Sequence, residues 1–203
     1  MGCDIHVAVE RQYRGGWVPV NPTPSEEPSS SNHWRADWGC YSPGENPVEQ
    51  LTQVGKPIAD IVPRQSYDWY FGRDYRAFGQ LANVRMGGGF SEPKGVPLDI
   101  SEQVWTRVFL PVVDTECEGA VTPAQAENWR TPVMENEGRR YILNPDWHSP
   151  SHYTLEELHE EIDKRGKTNI EQRILDLTKE MSKVAKTYKL TQAQVRVVFW
   201  FDN

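Results

Sequence analysis

Val195-Arg196-Val197-Val198-Phe199-Trp200-Phe201 reads as the strand on which the fold turns. Its residues are β-branched or aromatic, and alternation puts Val195, Val197, Phe199 and Phe201 on one face. Val198 and Trp200 imply that the other face is partly covered as well. At the far end of the sequence, Ile5-His6-Val7-Ala8-Val9-Glu10 alternates too. Ile5, Val7 and Val9 face one way and Asp4, His6, Ala8 and Glu10 the other, the pattern of a half-buried strand. Arg14-Gly15-Gly16 supplies a turn, and Trp17-Val18-Pro19-Val20 returns as a second strand whose proline marks an exposed edge or an early end.

The helices lie between these ends. Thr154 and Glu157 form a capping box ahead of Leu155, Leu158 and Ile162, and Gly166 closes that helix. Thr168 and Glu171 repeat the pattern before a longer helix striped by Ile170, Ile174, Leu177, Met181, Val184 and Tyr188. These elements predict an α+β fold. Strands 3–10 and 194–201 share a mostly antiparallel sheet, and the long helix 169–188 packs across it through Ile170, Ile174, Leu177 and Met181.

The rest is less regular. Pro22, Pro24, Pro28, Pro43 and Pro47, with Ser29-Ser30-Ser31, make 21–47 an irregular insertion, held by Trp34, Trp38 and Tyr41. Tyr75, Phe78, Leu81 and Ala82 stripe a short helix over 74–84, ended by Gly87-Gly88-Gly89. Another short helix is expected from Asp99 to Val104, and short strands near 108–109 and 141–143. The sequence reads as a single domain over 1–203 with the insertion inside it.

Composition narrows the function classes. The 203 residues carry 22 basic and 29 acidic side chains, net charge −7, so an extended nucleic-acid backbone is repelled rather than gathered. Cys3, Cys40 and Cys117 show no CxxC spacing and read as free thiols of a reducing compartment, the cytoplasm. No apolar run approaches membrane-spanning length, and the first residues lack the signal-peptide pattern.

Three places carry candidate chemistry. Asp4 and His6 project from one strand face, suited to sharing a divalent metal or to acid–base work. Arg73 and Arg76, three apart on a helix, with Asn83 and Arg85 near its end, are suited to gripping phosphate or carboxylate, and the triple glycine can offer N–H groups to an anion. Asp146-Trp147-His148-Ser149-Pro150-Ser151-His152 reads as a polar loop before the capped helix, with His148 as a base or ligand and Ser149 beside it. The solvent-side reading stands beside each: paired arginines, turning glycines, surface histidines.

Met1-Gly2-Cys3-Asp4-Ile5-His6 with the Gly15-Gly16-Trp17 hairpin, the run Arg73-Asp74-Tyr75-Arg76 to Asn83-Val84-Arg85, Gly95-Val96-Pro97-Leu98-Asp99, the stretch His148 to Leu158, and the closing Val195 to Asn203 together resemble an uncharacterised family of bacteriophage and bacterial genomes. The likeness covers most of the chain outside the insertion, and departs from the pattern around Gly87–Gly89 and at His152. It implies a phage-type accessory protein acting in the host cytoplasm. The leading expectation is a pocket that binds a small phosphorylated or nucleotide-like ligand, with hydrolysis and retention of the unaltered ligand both open to it. Asp4, His6 and His148 would hold a divalent metal and, with Asp99, supply the catalytic groups. Arg73, Arg76, Asn83, Arg85 and Ser149 would bind the ligand. The alternative is a non-catalytic inhibitor that covers a host protein through an acidic, aromatic-rich surface.

Overall fold

A computed structural model describes residues 5–20, 74–84, 88–116, 119–136 and 138–201. The insertion 21–47, with Trp34, Trp38 and Tyr41, lies outside them, as do Asp4, Arg73 and Arg85. The chain divides into two compact units. The first holds the described residues up to Ser101 and from His148 onward, and the second those from Glu102 to Trp147.

The first unit is built on the sheet that the sequence predicts. Strand β1 (Ile5–Tyr13) turns into β2 (Gly16–Pro19), and β6 (His148–Thr154) and β7 (Val195–Phe201) complete the order β2-β1-β7-β6. Every pairing is antiparallel, with Ile5 opposite Phe201, Val7 opposite Phe199 and Val9 opposite Val197. One face packs on α1 (Tyr75–Ala82), α4 (Leu155–Arg165) and α5 (Gln172–Tyr188) around a core of Ile5, Val7, Val9, Phe78, Leu81, Leu158, Ile174, Leu177, Met181, Val197, Phe199 and Phe201. Ile170, Ile174, Leu177 and Met181 belong to that core as expected, and Gly166 caps α4.

The opposite face differs from a half-exposed one. Ala8, Glu10, Arg196, Val198 and Trp200 are all buried there, so β1 and β7 are covered on both sides. The start of α5 also differs. A 3₁₀ turn takes Lys167–Asn169, and the helix begins at Gln172 with no side-chain cap. Gln80 does what Thr168 was expected to do: its Oε1 accepts the Glu171 N–H at 2.9 Å, while its Nε2 donates to the Asn169 carbonyl at 2.7 Å. The expected box begins only two residues after the helix-ending Gly166, and the tight turn takes that stretch instead.

The second unit holds α2 (Glu102–Val108), α3 (Pro123–Asn128) and a small sheet of β3 (Phe109–Pro111), β5 (Arg139–Leu143) and β4 (Met134–Asn136) in the order β3-β5-β4. The strands lie where the sequence places them, near 108–109 and 141–143. Helix α2 starts three residues later than expected. Its core is Val112, Val121, Ala126 and Ile142, with a triangle of Trp105, Phe109 and Tyr141 rings.

Candidate functional site

The candidate residues do not gather into one described site. His6 pairs with Trp200 across β1–β7 and stacks on its indole at 5.6 Å. His148 lies on the other flank of β7, opposite Phe201. Successive residues of β7 point to opposite faces, so the two imidazoles start from opposite sides of the sheet, with a strand between them. Among the described residues no group of three His, Cys, Asp or Glu side chains gathers as metal ligands.

The segment 146–152 corrects the expectation of a loop. From His148 it is strand β6, and pairing with β7 overrides its poor strand composition. A register shift between His148 and Ser151 absorbs Ser149, which sits at φ 45°, and Pro150, whose carbonyl accepts the Gly95 N–H. Ser149 is therefore a bulge residue. His152 Nδ1 lies 3.1 Å from the Gly95 carbonyl.

Asn83 and the glycines serve the fold. Asn83 ends α1 in the left-handed region, accepts the Gly89 N–H at 2.8 Å and donates to Glu92 at 2.7 Å. A Cβ on Gly89 would collide with the Asn83 backbone, so only glycine permits this approach. The Gly88 and Gly89 carbonyls accept from the Arg165 guanidinium, and the Gly89 N–H is taken by Asn83, while Gly87 lies outside the described residues. Asp74 caps α1 and pairs with Arg173, while Arg76 points to solvent.

Asp99 belongs to a network that sequence reasoning did not assemble. Glu10 and Arg196, opposite each other in register, pair at 2.7 Å with 0% and 3% exposure. The Arg196 guanidinium also donates to the Asp99 carboxylate at 2.6 Å and to its carbonyl, and lies 3.9 Å over the Trp17 ring. Trp17 Nε1 donates to Asp99, and the Ser101 N–H to Glu10. Partial burial raises the Asp99 pKa, but the Arg196 hydrogen bond and charge and the Trp17 hydrogen bond outweigh it, leaving the carboxyl below its ordinary range. The charged groups of Glu10, Arg196 and Asp99 all have partners, so the network fastens residues 99–101 to the sheet and offers little to a ligand.

The opposite face behaves differently where its core runs out. The alternation that buries Val7 and Val9 continues as Arg11 and Tyr13, just where α5 ends at Tyr188. A cleft of 490 Å³ opens there, lined by Arg11, Tyr13, Arg14, Tyr188, Leu190 and the Gln12–Gln194 pair. The Arg11 guanidinium lies 3.9 Å over the Tyr188 ring and 5.2 Å from the Tyr13 ring, and that of Arg14 lies 5.1 Å from the Tyr13 ring. Neither guanidinium has a hydrogen-bond or carboxylate partner among the described residues, and no acidic side chain among them lines the cleft. The α5 terminus contributes a partial negative charge, reduced where the N–H groups of Lys189 and Leu190 bond to the Ala185 and Lys186 carbonyls. Two whole positive charges outweigh that partial one.

Arg14 also departs from hairpin chemistry. Arg14 at φ 50° and Gly15 at φ 85° form the two-residue loop between Tyr13 and Gly16, the type I′ geometry that favours Asn-Gly. An arginine in the left-handed region is disfavoured by about 1 kcal/mol. That mismatch was readable in the sequence as Arg14-Gly15 between two strands, but Tyr188 gave no sign that it would meet them. Compared with known proteins, the chain matches no family model, no curated protein and no solved structure.

Proposed function

We propose that the protein binds a small phosphorylated ligand of nucleotide type in the cleft between the β1–β2 hairpin and the end of α5, and holds it without turnover. The observation that carries this reading is the pair of arginines, both without a carboxylate partner among the described residues, sharing the Tyr13 ring in a chain of net charge −7. Guanidinium groups match phosphate oxygens in hydrogen-bond geometry as well as charge. Tyr13 and Tyr188, about half exposed, add aromatic surface for a planar base.

Among the described residues the cleft has no imidazole or carboxylate to activate water, which favours retention over hydrolysis. The anion site thus moves from Arg73, Arg76 and Arg85 to Arg11 and Arg14, and the metal set of Asp4, His6 and His148 is not carried into it. An accessory protein of phage type in the host cytoplasm suits this role as a nucleotide sponge. No helix among the described residues is long and apolar enough to cross a membrane.

Native mass spectrometry and calorimetry with a panel of mono-, di- and cyclic nucleotides test the reading, with Mg²⁺ or Mn²⁺ present and absent. A nucleotide recovered unaltered after denaturation, and bound at least tenfold more weakly by Arg11→Ala and Arg14→Asn, is the expected result. Equal affinity in both variants removes the cleft. A chemically altered nucleotide restores the enzyme reading, and retention of no nucleotide leaves the inhibitor reading in its place.

A further inference from the structure

A second cleft of 490 Å³ lies within the second unit, lined by Leu110, Trp129, Asn144, Pro145 and Asp146. Trp129 stands at the end of α3, where its N–H bonds to the Gln125 carbonyl. Arg130 then turns through φ 55°, and the Arg130 and Thr131 N–H groups return to the Glu127 and Ala126 carbonyls, so the backbone that carries Trp129 is held by the helix end. Trp129 is nevertheless 43% exposed. Asn144 Oδ1 accepts the Asp146 N–H at 3.1 Å, which sets Asp146 on the rim. The Asp146 carboxylate has no hydrogen bond or ion pair among the described residues, and no cationic side chain lines the cleft.

We propose that this cleft binds an alkyl cation, a primary ammonium or guanidinium on a methylene stem. Each lining group then has a use. The indole face attracts the cation better than any other side-chain ring, Asp146 pairs with its charge, and Leu110 and Pro145 cover the stem. An anion meets Asp146 unfavourably, and a purely apolar ligand desolvates that carboxylate without pairing it. The net charge of −7 draws cations toward the protein at long range. The same group is carried by a free aliphatic amine and by a lysine side chain of a partner.

The test follows the Trp129 indole N–H by NMR in the whole protein, assigned by its loss in Trp129→Phe. Titration with n-butylammonium at constant ionic strength is expected to shift that signal saturably, while n-butanol leaves it in place. Asp146→Asn, an exposed change that leaves the Asn144 turn intact, is expected to weaken the response by about fivefold, the factor that roughly 1 kcal/mol of exposed charge pairing gives. An equal response to n-butanol, an absent response to n-butylammonium, or an unchanged affinity in Asp146→Asn overturns the proposal. Cadaverine and a blocked Gly-Lys-Gly peptide then separate the sources: tighter binding of the diamine assigns a free amine, and tighter binding of the peptide assigns a protein partner.

Discussion

Arg196 and Arg11 each lie 3.9 Å over an aromatic ring, on opposite faces of one sheet, yet they differ in what else they touch. Arg196 is 3% exposed and answers to Glu10, Asp99 and Trp17. Arg11 has two tyrosine rings and no carboxylate among the described residues. A guanidinium surrounded by acids is a fastening, because its charge is already balanced. A guanidinium that only rings accompany keeps its field and its five donors for something that arrives from solution.

That contrast sets an order of expected effects. The largest belongs to Arg196→Ala. It strands the fully buried Glu10 carboxylate without its partner, and chemical denaturation should register a loss of about 3–5 kcal/mol. Arg11→Ala removes an unpaired, partly exposed cation and should cost under about 1 kcal/mol in the same assay. Comparable losses for the two would mean that Arg11 is structural after all.

A smaller effect separates Asp99 by acid. Its folded pKa lies below the unfolded value, so its contribution is complete above the ordinary carboxylate range of about 4 and is lost as pH falls through the folded pKa. Asp99→Asn should therefore flatten the acid limb of a stability–pH profile without changing its neutral plateau shape. Glu157 is lowered too: the Lys94 and Thr154 hydrogen bonds outweigh its desolvation, so part of the acid limb remains in the variant. An identical acid limb in wild type and Asp99→Asn would dissolve the Asp99–Arg196 link.

The smallest effect is the most discriminating, because its two readouts move in opposite directions. Arg14→Asn suits the left-handed turn and should stabilise the protein by about 0.5–1 kcal/mol, while weakening nucleotide binding. Thermal melts and calorimetry on one preparation check both. A variant that loses stability contradicts the turn assignment, and one that gains stability and keeps its affinity contradicts the cleft.

The sheet was legible because alternation in Ile5–Val9 and Val195–Phe201 reports burial directly, and the capped stripe from Thr154 to Ile162 reports a helix. The 148–154 strand was not, since Pro150 and its polar neighbours His148, Ser149, Ser151 and His152 lack strand character and acquire it only from β7. Among the site residues, Asp99 was singled out, but its partners Glu10 and Arg196 looked like ordinary strand polar positions. Their meaning rests on cross-strand register, which no local pattern contains. Arg11 and Tyr188 come together for the same reason: the end of a helix meets the end of a strand from the other extreme of the sequence.

The pairing of β1 with β7 also governs how the chain reaches this state. β7 pairs with β1 from Ile5 to Arg11, and the sequence of the second unit runs between the two strands. Closing so long a loop adds little to the equilibrium cost, which grows only with the logarithm of its length. Its weight falls on the rate, because contacts so distant in sequence form late. Until Val195–Phe201 arrives, the hairpin of β1 and β2 displays Val7 and Val9 on an unpaired edge, the kind of surface that chaperones engage and that seeds association between unfinished chains.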